Sequence, residues 1–472
     1  MIDLVISLDS TSARPLYEQI YDFIKTEIQN GGLPVAERLP SSRILAKQLE
    51  VSRSTVTLAY EQLVSEGYIE NRPHRGYFIN DLAGLYRLDP VKQRRKLRPD
   101  EAKAEEYRYD FSPAGVDLKS FPYNIWRKLT KELLAADSQE LFRLSEPQGE
   151  RELRETMALY LHHARGVRCT AEQIIIGAGN DYLMMLLQLI LGDTRICAME
   201  RLTYRKAADI LKLLGNEVIS VEMDEYGLRT DALKHSGASL IYVMPSHQFP
   251  LGTVMPVKRR AELLAWAADG ADRFIIEDDY DSEFRYKGRP IPALQGYDTL
   301  DRVIYIGTFS KSIAPSIRIS FMVLPLSLME RYCSVGARFS TTVSRLDQKL
   351  LTEFIRGGYY ERHLNRMRGI YKGRHDILMD ELKKLRHLVE VSGEHAGTHV
   401  LLHMKNGMTE REAVESAKNA GIRVYELSSY GLEKTKEMHT ILLGYANLSE
   451  KEIPQAVRSL AGCWDTYQTK TS

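Results

Sequence analysis

Apolar positions in the first 80 residues recur at helical spacing. Between Pro15 and Asn30 they fall at Leu16, Ile20, Phe23, Ile24 and Ile28, the stripe of a 3.6-residue repeat. Pro15 stands early and Gly31-Gly32 at the end, the usual punctuation of a helix. The pattern predicts a second short helix over 42–49. It predicts a third over 52–66, with Val56, Ala59, Tyr60 and Leu63 on its inner face. Gly67-Tyr68-Ile69-Glu70 and Gly76-Tyr77-Phe78-Ile79 flank a charged turn, which predicts a β-hairpin. Together these elements make a winged helix-turn-helix over residues 1–80.

The pattern changes after residue 80. Lys92 to Arg98 carries five basic residues in seven, and Asp100, Glu101, Glu105 and Glu106 follow. Such alternation predicts an exposed linker over 81–107. From 108 onward, short apolar runs alternate with helical patterns. The runs are Ile174 to Ile176, Ile196 to Met199, Val218 to Val221, Leu240 to Met244, Phe274 to Ile276 and Val303 to Ile306. That predicts an α/β domain with a largely parallel sheet over 108–345. The remainder, 346–472, reads as a smaller α+β domain. Its strand candidates are Val389 to Val391, His399 to Met404, Arg423 to Tyr425 and Thr440 to Leu443.

Composition narrows the function classes. The chain has 472 residues, 44% hydrophobic and 27% charged, with a net charge of +1; it can bury large cores and is not a disordered chain. No apolar run reaches the roughly 18 residues of a membrane span. The start MIDLVISLDS lacks the layout of a secretory leader, so a cytoplasmic protein is expected. Cys169, Cys197, Cys333 and Cys463 are too far apart for a metal motif, and no metal is expected.

The head has the chemistry of a DNA reader. A helix opening at Ser52 would carry Arg53, Ser54 and Thr55 into a major groove, with Arg43 on the preceding helix near a phosphate. The hairpin tip would offer Arg72, His74 and Arg75 to the backbone or minor groove. Residues 1–80 hold eight Lys+Arg against ten Asp+Glu, 8 − 10 = −2. Affinity therefore needs those cations gathered on one face.

Three clusters mark the large domain, in the order that a phosphate-bearing aldehyde would need them. Gly177-Ala178-Gly179-Asn180 follows a strand and precedes an apolar helix, so its amides can bind an anion. Glu277-Asp278-Asp279-Tyr280-Asp281 ends an apolar strand, where ligands of open α/β sheets sit. Carboxylates there call for a cationic partner. Gly307-Thr308-Phe309-Ser310-Lys311 follows another strand, with Arg318 seven residues on. A lysine in that position becomes a nucleophile once its pKa is lowered.

These motifs carry resemblances. Arg38 to Arg43, Val51 to Val56, Glu66 to Ile69 and Arg75 to Phe78 resemble the GntR-type winged helix. The three clusters resemble the fold-type I pyridoxal-phosphate (PLP) enzymes of the aspartate aminotransferase class. The fusion of the two is similar to the MocR/GabR family of transcriptional regulators. That resemblance implies PLP on a Schiff-base lysine, Lys311, with Asp278 at the pyridinium nitrogen and Tyr280 at the phenolic oxygen. Tyr204 would stack on the ring, and Thr308, Ser310, Arg318, Ala178, Gly179 and Asn180 would hold the phosphate. It also implies a double-stranded DNA operator, a bacterial head-to-tail, domain-swapped homodimer, and an amine, amino acid or PLP as effector. The alternative is an aminotransferase carrying a regulatory head. Where the family places a carboxylate-binding arginine, this chain has Asn447, a departure that predicts at most weak transaminase activity. Arg205, Lys206 and His247 are then the other candidates for the effector site, and Arg345 and Arg423 are further candidates that the sequence does not place.

Overall fold

A computed structural model describes residues 4, 6–81, 107–135, 139–286, 291–394, 396–433 and 438–466. The basic and acidic runs of the expected linker lie outside them. The chain divides into two compact units between Ala104 and Glu105.

The first unit holds three helices, Leu16–Gln29, Ser42–Gln48 and Arg53–Ser65, then an antiparallel hairpin of Ile69–Arg72 and Gly76–Ile79. Ser41 and Ser52 cap the second and third helices, accepting from the amides of Ile44 and Thr55; such a cap contributes about 1 kcal/mol. The stripe read from the sequence packs inward. Ile20, Ile24, Leu45, Val56, Ala59, Tyr60 and Leu63 form one core with Tyr68, Ile69 and Ile79 of the hairpin. Tyr60 is fully buried, and its hydroxyl donates to the Pro40 carbonyl at 3.0 Å.

The second unit is built on a seven-stranded sheet. Its spatial order is Ile174–Gly177, Ser320–Val323, Val303–Thr308, Phe274–Asp279, Leu240–Val243, Ile196–Glu200 and Glu217–Val221. All strands are parallel except Ser320–Val323, which runs against both neighbours. This strand is absent from the sequence reading because its four residues directly follow the Arg318 segment and look like the end of a loop. Apolar cores on the two faces of the sheet bury every strand almost completely except the edge strand Glu217–Val221, as parallel sheets require.

The 25-residue helix Tyr359–Lys383 leads into the C-terminal layer. There an antiparallel sheet runs in the order Val389–Ser392, His399–Met404, Thr440–Gly444, Tyr425–Glu426. The segment from residue 108, grouped by sequence with the large domain, pairs instead with this layer. Tyr109–Asp110 lies parallel to Ile422–Arg423, and Tyr109 and Phe111 are buried in the C-terminal core. Among the described residues no helix is long and apolar enough to cross a membrane. Nor is any group of three or more His, Cys, Asp or Glu placed to hold a metal.

Candidate functional site

The carboxyl ends of the central strands open into a cavity of about 360 Å³. Its lining includes Gly179, Asn180, Tyr204, Asp278, Tyr280, Thr308, Ser310, Lys311 and Arg318, so nine of the ten expected cofactor residues meet at one place. Strand alternation sorts the acids. Asp278 faces the cavity, accepting from the Tyr242 hydroxyl and lying 3.5 Å from Asn180 Nδ2. Asp279 points to the other face, where Arg165 holds it at 2.7 Å and the Tyr305 hydroxyl at 2.5 Å. Burial pushes the Asp278 carboxyl up to about 7, against the pull of the Tyr242 hydrogen bond. Burial likewise pulls Lys311 down to about 8. A buried acid without a cation is costly, so the floor of this cavity favours a positively charged ligand group.

At the other end the site is suited to an anion. A Cβ on Gly179, whose φ is +93°, would collide with the Arg318 guanidinium. Only glycine allows Arg318 to lie this close, and Arg318 itself adopts a left-handed φ of +50°. Its guanidinium donates to the Ala178 carbonyl at 3.2 Å and stands 3.6 Å from Asp181. Ser310 Oγ and Asn180 Oδ1 are buried with no hydrogen-bond partner among the described residues. Unsatisfied polar atoms of this kind call for a bound group. Ala178 departs from expectation: it is outside the lining, and its amide is taken by Thr342 Oγ1 at 2.9 Å.

The effector candidates separate. Lys206 lines the cavity, paired with Asp181 at 2.6 Å. Arg205 bends away to the Gly431 carbonyl at 2.8 Å. His247 is buried behind Tyr280, with Nδ1 2.9 Å from both the Tyr280 hydroxyl and Asp281 Oδ2. Asn447 is exposed and spends its amide on the Asp110 carbonyl at 3.0 Å. Arg345 is tied to Glu150 and Glu140, while Arg423 lies over the rings of Tyr107 and Tyr425. The sequence reading missed Tyr242, Phe249, Tyr430 and the Pro113-Ala114 wall. Tyr242 and Phe249 sit in or beside an apolar strand and looked like core. Pro113-Ala114-Gly115 was the legible signal, a run of small residues between a buried strand and the Asp117 cap.

In the head, Arg53 opens the third helix. Arg43, Arg53, His74 and Arg75 are exposed, and no ion pair holds Arg43, Arg53 or Arg75 among the described residues. The Ser54 and Thr55 hydroxyls both gather at the cap, each 2.7 Å from Ser52 Oγ, with Ser54 the more exposed of the two. Arg72 is not at the tip. It ends the first strand, stacked on Phe78 and paired with Glu70 at 2.6 Å.

Comparison with known proteins decides what the two units are. The model of the gntR family of bacterial regulatory proteins matches residues 16–79, and that of the class I and II aminotransferases matches residues 116–460. The chain is 39% identical to the HTH-type transcriptional regulator YhdI of Bacillus subtilis, over 98% of both proteins. It is 31% identical to the probable rhizopine catabolism regulatory protein MocR of Rhizobium meliloti, over 97% of this chain and 95% of that one. It belongs to the MocR-type transcriptional regulators. A further relative is the pyridoxine biosynthesis regulator PdxR of Corynebacterium glutamicum, 32% identical over 91% of this chain and 92% of that protein. Kynurenine aminotransferase of Pyrococcus horikoshii covers 77% of this chain and 92% of its own, with a TM-score of 0.69 at 23% identity, which shows the fold of the body. This MocR-type chain is thus a regulator on an aminotransferase frame.

Proposed function

We propose that this MocR-type regulator holds PLP in the 360 Å³ cavity, and that an amine, an amino acid or PLP itself alters how the head holds an operator. One observation carries the reading. A single cavity joins a buried carboxyl, a lysine of lowered pKa, and an anion end with unsatisfied Ser310 and Asn180 oxygens.

The residues fit the group. Asp278 would hold a proton at the ring nitrogen, which relieves its own burial. Tyr280, backed by His247, would bond the phenolic oxygen. Tyr204 would cover the ring face. Thr308, Ser310, Arg318 and the Asn180 amide would hold the phosphate, while the Gly179 amide is spent on the Gly177 carbonyl at 2.9 Å and Gly179 serves by leaving room for Arg318. When bound, PLP supplies an aldehyde carbon that primary amines attack reversibly. Lys311 would anchor that carbon, its lowered pKa keeping a share of the amine neutral near physiological pH. No arginine stands at position 447 to fork onto a substrate carboxylate, which fits sensing rather than turnover.

On the head, Arg53 and Ser54 would face base edges, while Arg43, His74 and Arg75 meet phosphates. The reading extends to a head-to-tail homodimer on a two-fold operator, with the 81–107 segment as the connection; sedimentation with and without operator DNA tests it. The deciding experiment is the absorbance spectrum of the purified protein beside Lys311→Ala, with amines titrated in. We expect a near-visible band that requires Lys311 and is shifted by the effector without turnover, while operator binding persists in the variant. No band after added PLP overturns the reading.

A further inference from the structure

The Lys311 amine donates to the Pro113 carbonyl at 2.7 Å and lies 3.3 Å from that of Gly115. Both carbonyls belong to a strap, residues 107–117, the first described segment after the connection to the head. Other bonds of the strap go to the C-terminal layer. Arg108 N donates to Gly421 O at 2.8 Å, Phe111 N to Arg423 O at 3.0 Å, and Gly444 N to Phe111 O at 2.9 Å. Asp117 pairs with Arg374 at 2.7 Å. Asn447 fastens the middle. Its Nδ2 donates to Asp110 O at 3.0 Å, and its Oδ1 lies 2.7 Å from where a Gly115 Cβ would stand. The side chain that occupies the family's arginine position therefore holds in place the stretch whose carbonyls receive Lys311.

We propose that Lys311 has two stations, the strap carbonyls and the aldehyde carbon of PLP, and that Asn447 is the positioning residue that keeps the first station in reach. The inference rests on the PLP reading above. At the second station the lysine nitrogen forms a C=N bond to the aldehyde carbon and one water leaves; its hydrogen bonds to Pro113 and Gly115 are given up. An effector amine exchanges that bond for its own C=N bond, its two protons pass to the lysine nitrogen, and no electrons are transferred. Lys311 then returns to the strap. The strap thus reports whether the lysine is free, at the point where the body joins the chain leading to the head. A bond from a charged donor is worth enough to change local opening by roughly tenfold or more.

Amide hydrogen exchange at Arg108, Phe111 and Gly115 tests this, read beside the absorbance band on the full-length protein. PLP should speed exchange in the strap about tenfold, and an amine that shifts the band without turnover should slow it again. Lys311→Met should exchange fast with or without PLP. Asn447→Ala should exchange fast from the start, and PLP should then add less than twofold; a merely structural role would leave the tenfold PLP response in place. A band with strap exchange unchanged within twofold overturns the two stations while leaving the PLP reading intact. A full PLP response in Asn447→Ala overturns the role of Asn447. No band at all removes the PLP reading and this inference with it.

Discussion

In the head, Arg43, Arg53 and Arg75 stand exposed without ion-pair partners among the described residues, whereas in the body Asp278 and Lys311 line one cavity and burial moves both toward neutrality. The two units use charge in different regimes. Exposed cations act at a distance, through phosphate charge, and lose strength as salt rises. Buried groups act at contact, through pKa and hydrogen bonds, and salt barely reaches them. With PLP and amine absent, a substitution in one regime should therefore leave the other regime's observable unmoved.

The largest effect tests the buried side. Asp278→Asn removes the only lining carboxylate that faces Tyr242, and should weaken PLP binding by about 2–3 kcal/mol, the worth of a charge-assisted bond in a dry site. Titration of the cofactor band measures it, and operator affinity measured without PLP should be unchanged. Arg53→Ala probes the exposed side: specific operator affinity should fall by about 1–3 kcal/mol if Arg53 reads a base edge, with the band intact. Competition with non-operator DNA separates base reading from phosphate attraction.

The third test is pH. Only a neutral amine attacks an aldehyde, and the neutral fraction rises with pH until the pKa is passed. With Lys311 at about 8, the rate of band formation should rise roughly tenfold per unit below pH 8 and level off above it. A lysine at its ordinary 10.5 would keep rising through pH 10. The smallest effects belong to the hairpin. Arg75→Ala should reduce the slope of log affinity against log salt by about 1. Arg72→Ala should change that slope very little, because Glu70 already neutralises it. An equal loss of slope in both variants would erase the distinction between paired and free cations.

What was legible in the sequence follows from the same contrast. The head and the six parallel strands were readable because amphipathic stripes and apolar runs are local signals. The cavity residues were readable because three polar clusters follow strand positions in the order that a phosphate-bearing aldehyde would need them. Pairing was not readable. Nothing in the string shows that Arg72 meets Glu70, that Ala178's amide is taken by Thr342, or that Asn447 reaches back to Asp110, more than three hundred positions earlier. The strand Ser320–Val323 was lost for a related reason, since its partners lie on both sides only after the sheet has closed.

That strand sets a limit on how the anion end can be built. Because it runs against its neighbours, Thr308, Ser320 and Gly177 come abreast in one row across three strands, and Ser320 Oγ donates to Thr308 Oγ1 at 2.9 Å. The stretch from 309 to 319, which carries Ser310, Lys311 and Arg318, must span that row with a fixed number of residues. Adding or removing one would either slip the register and turn the side chains of 320–323 to the opposite face or be absorbed within 309–319 and displace Ser310, Lys311 or Arg318, while leaving every functional residue type in the chain. At this site length is as selective as chemistry, whereas the exposed turn at Tyr226, between Met223–Asp224 and Gly227–Leu228, can lengthen without touching the row.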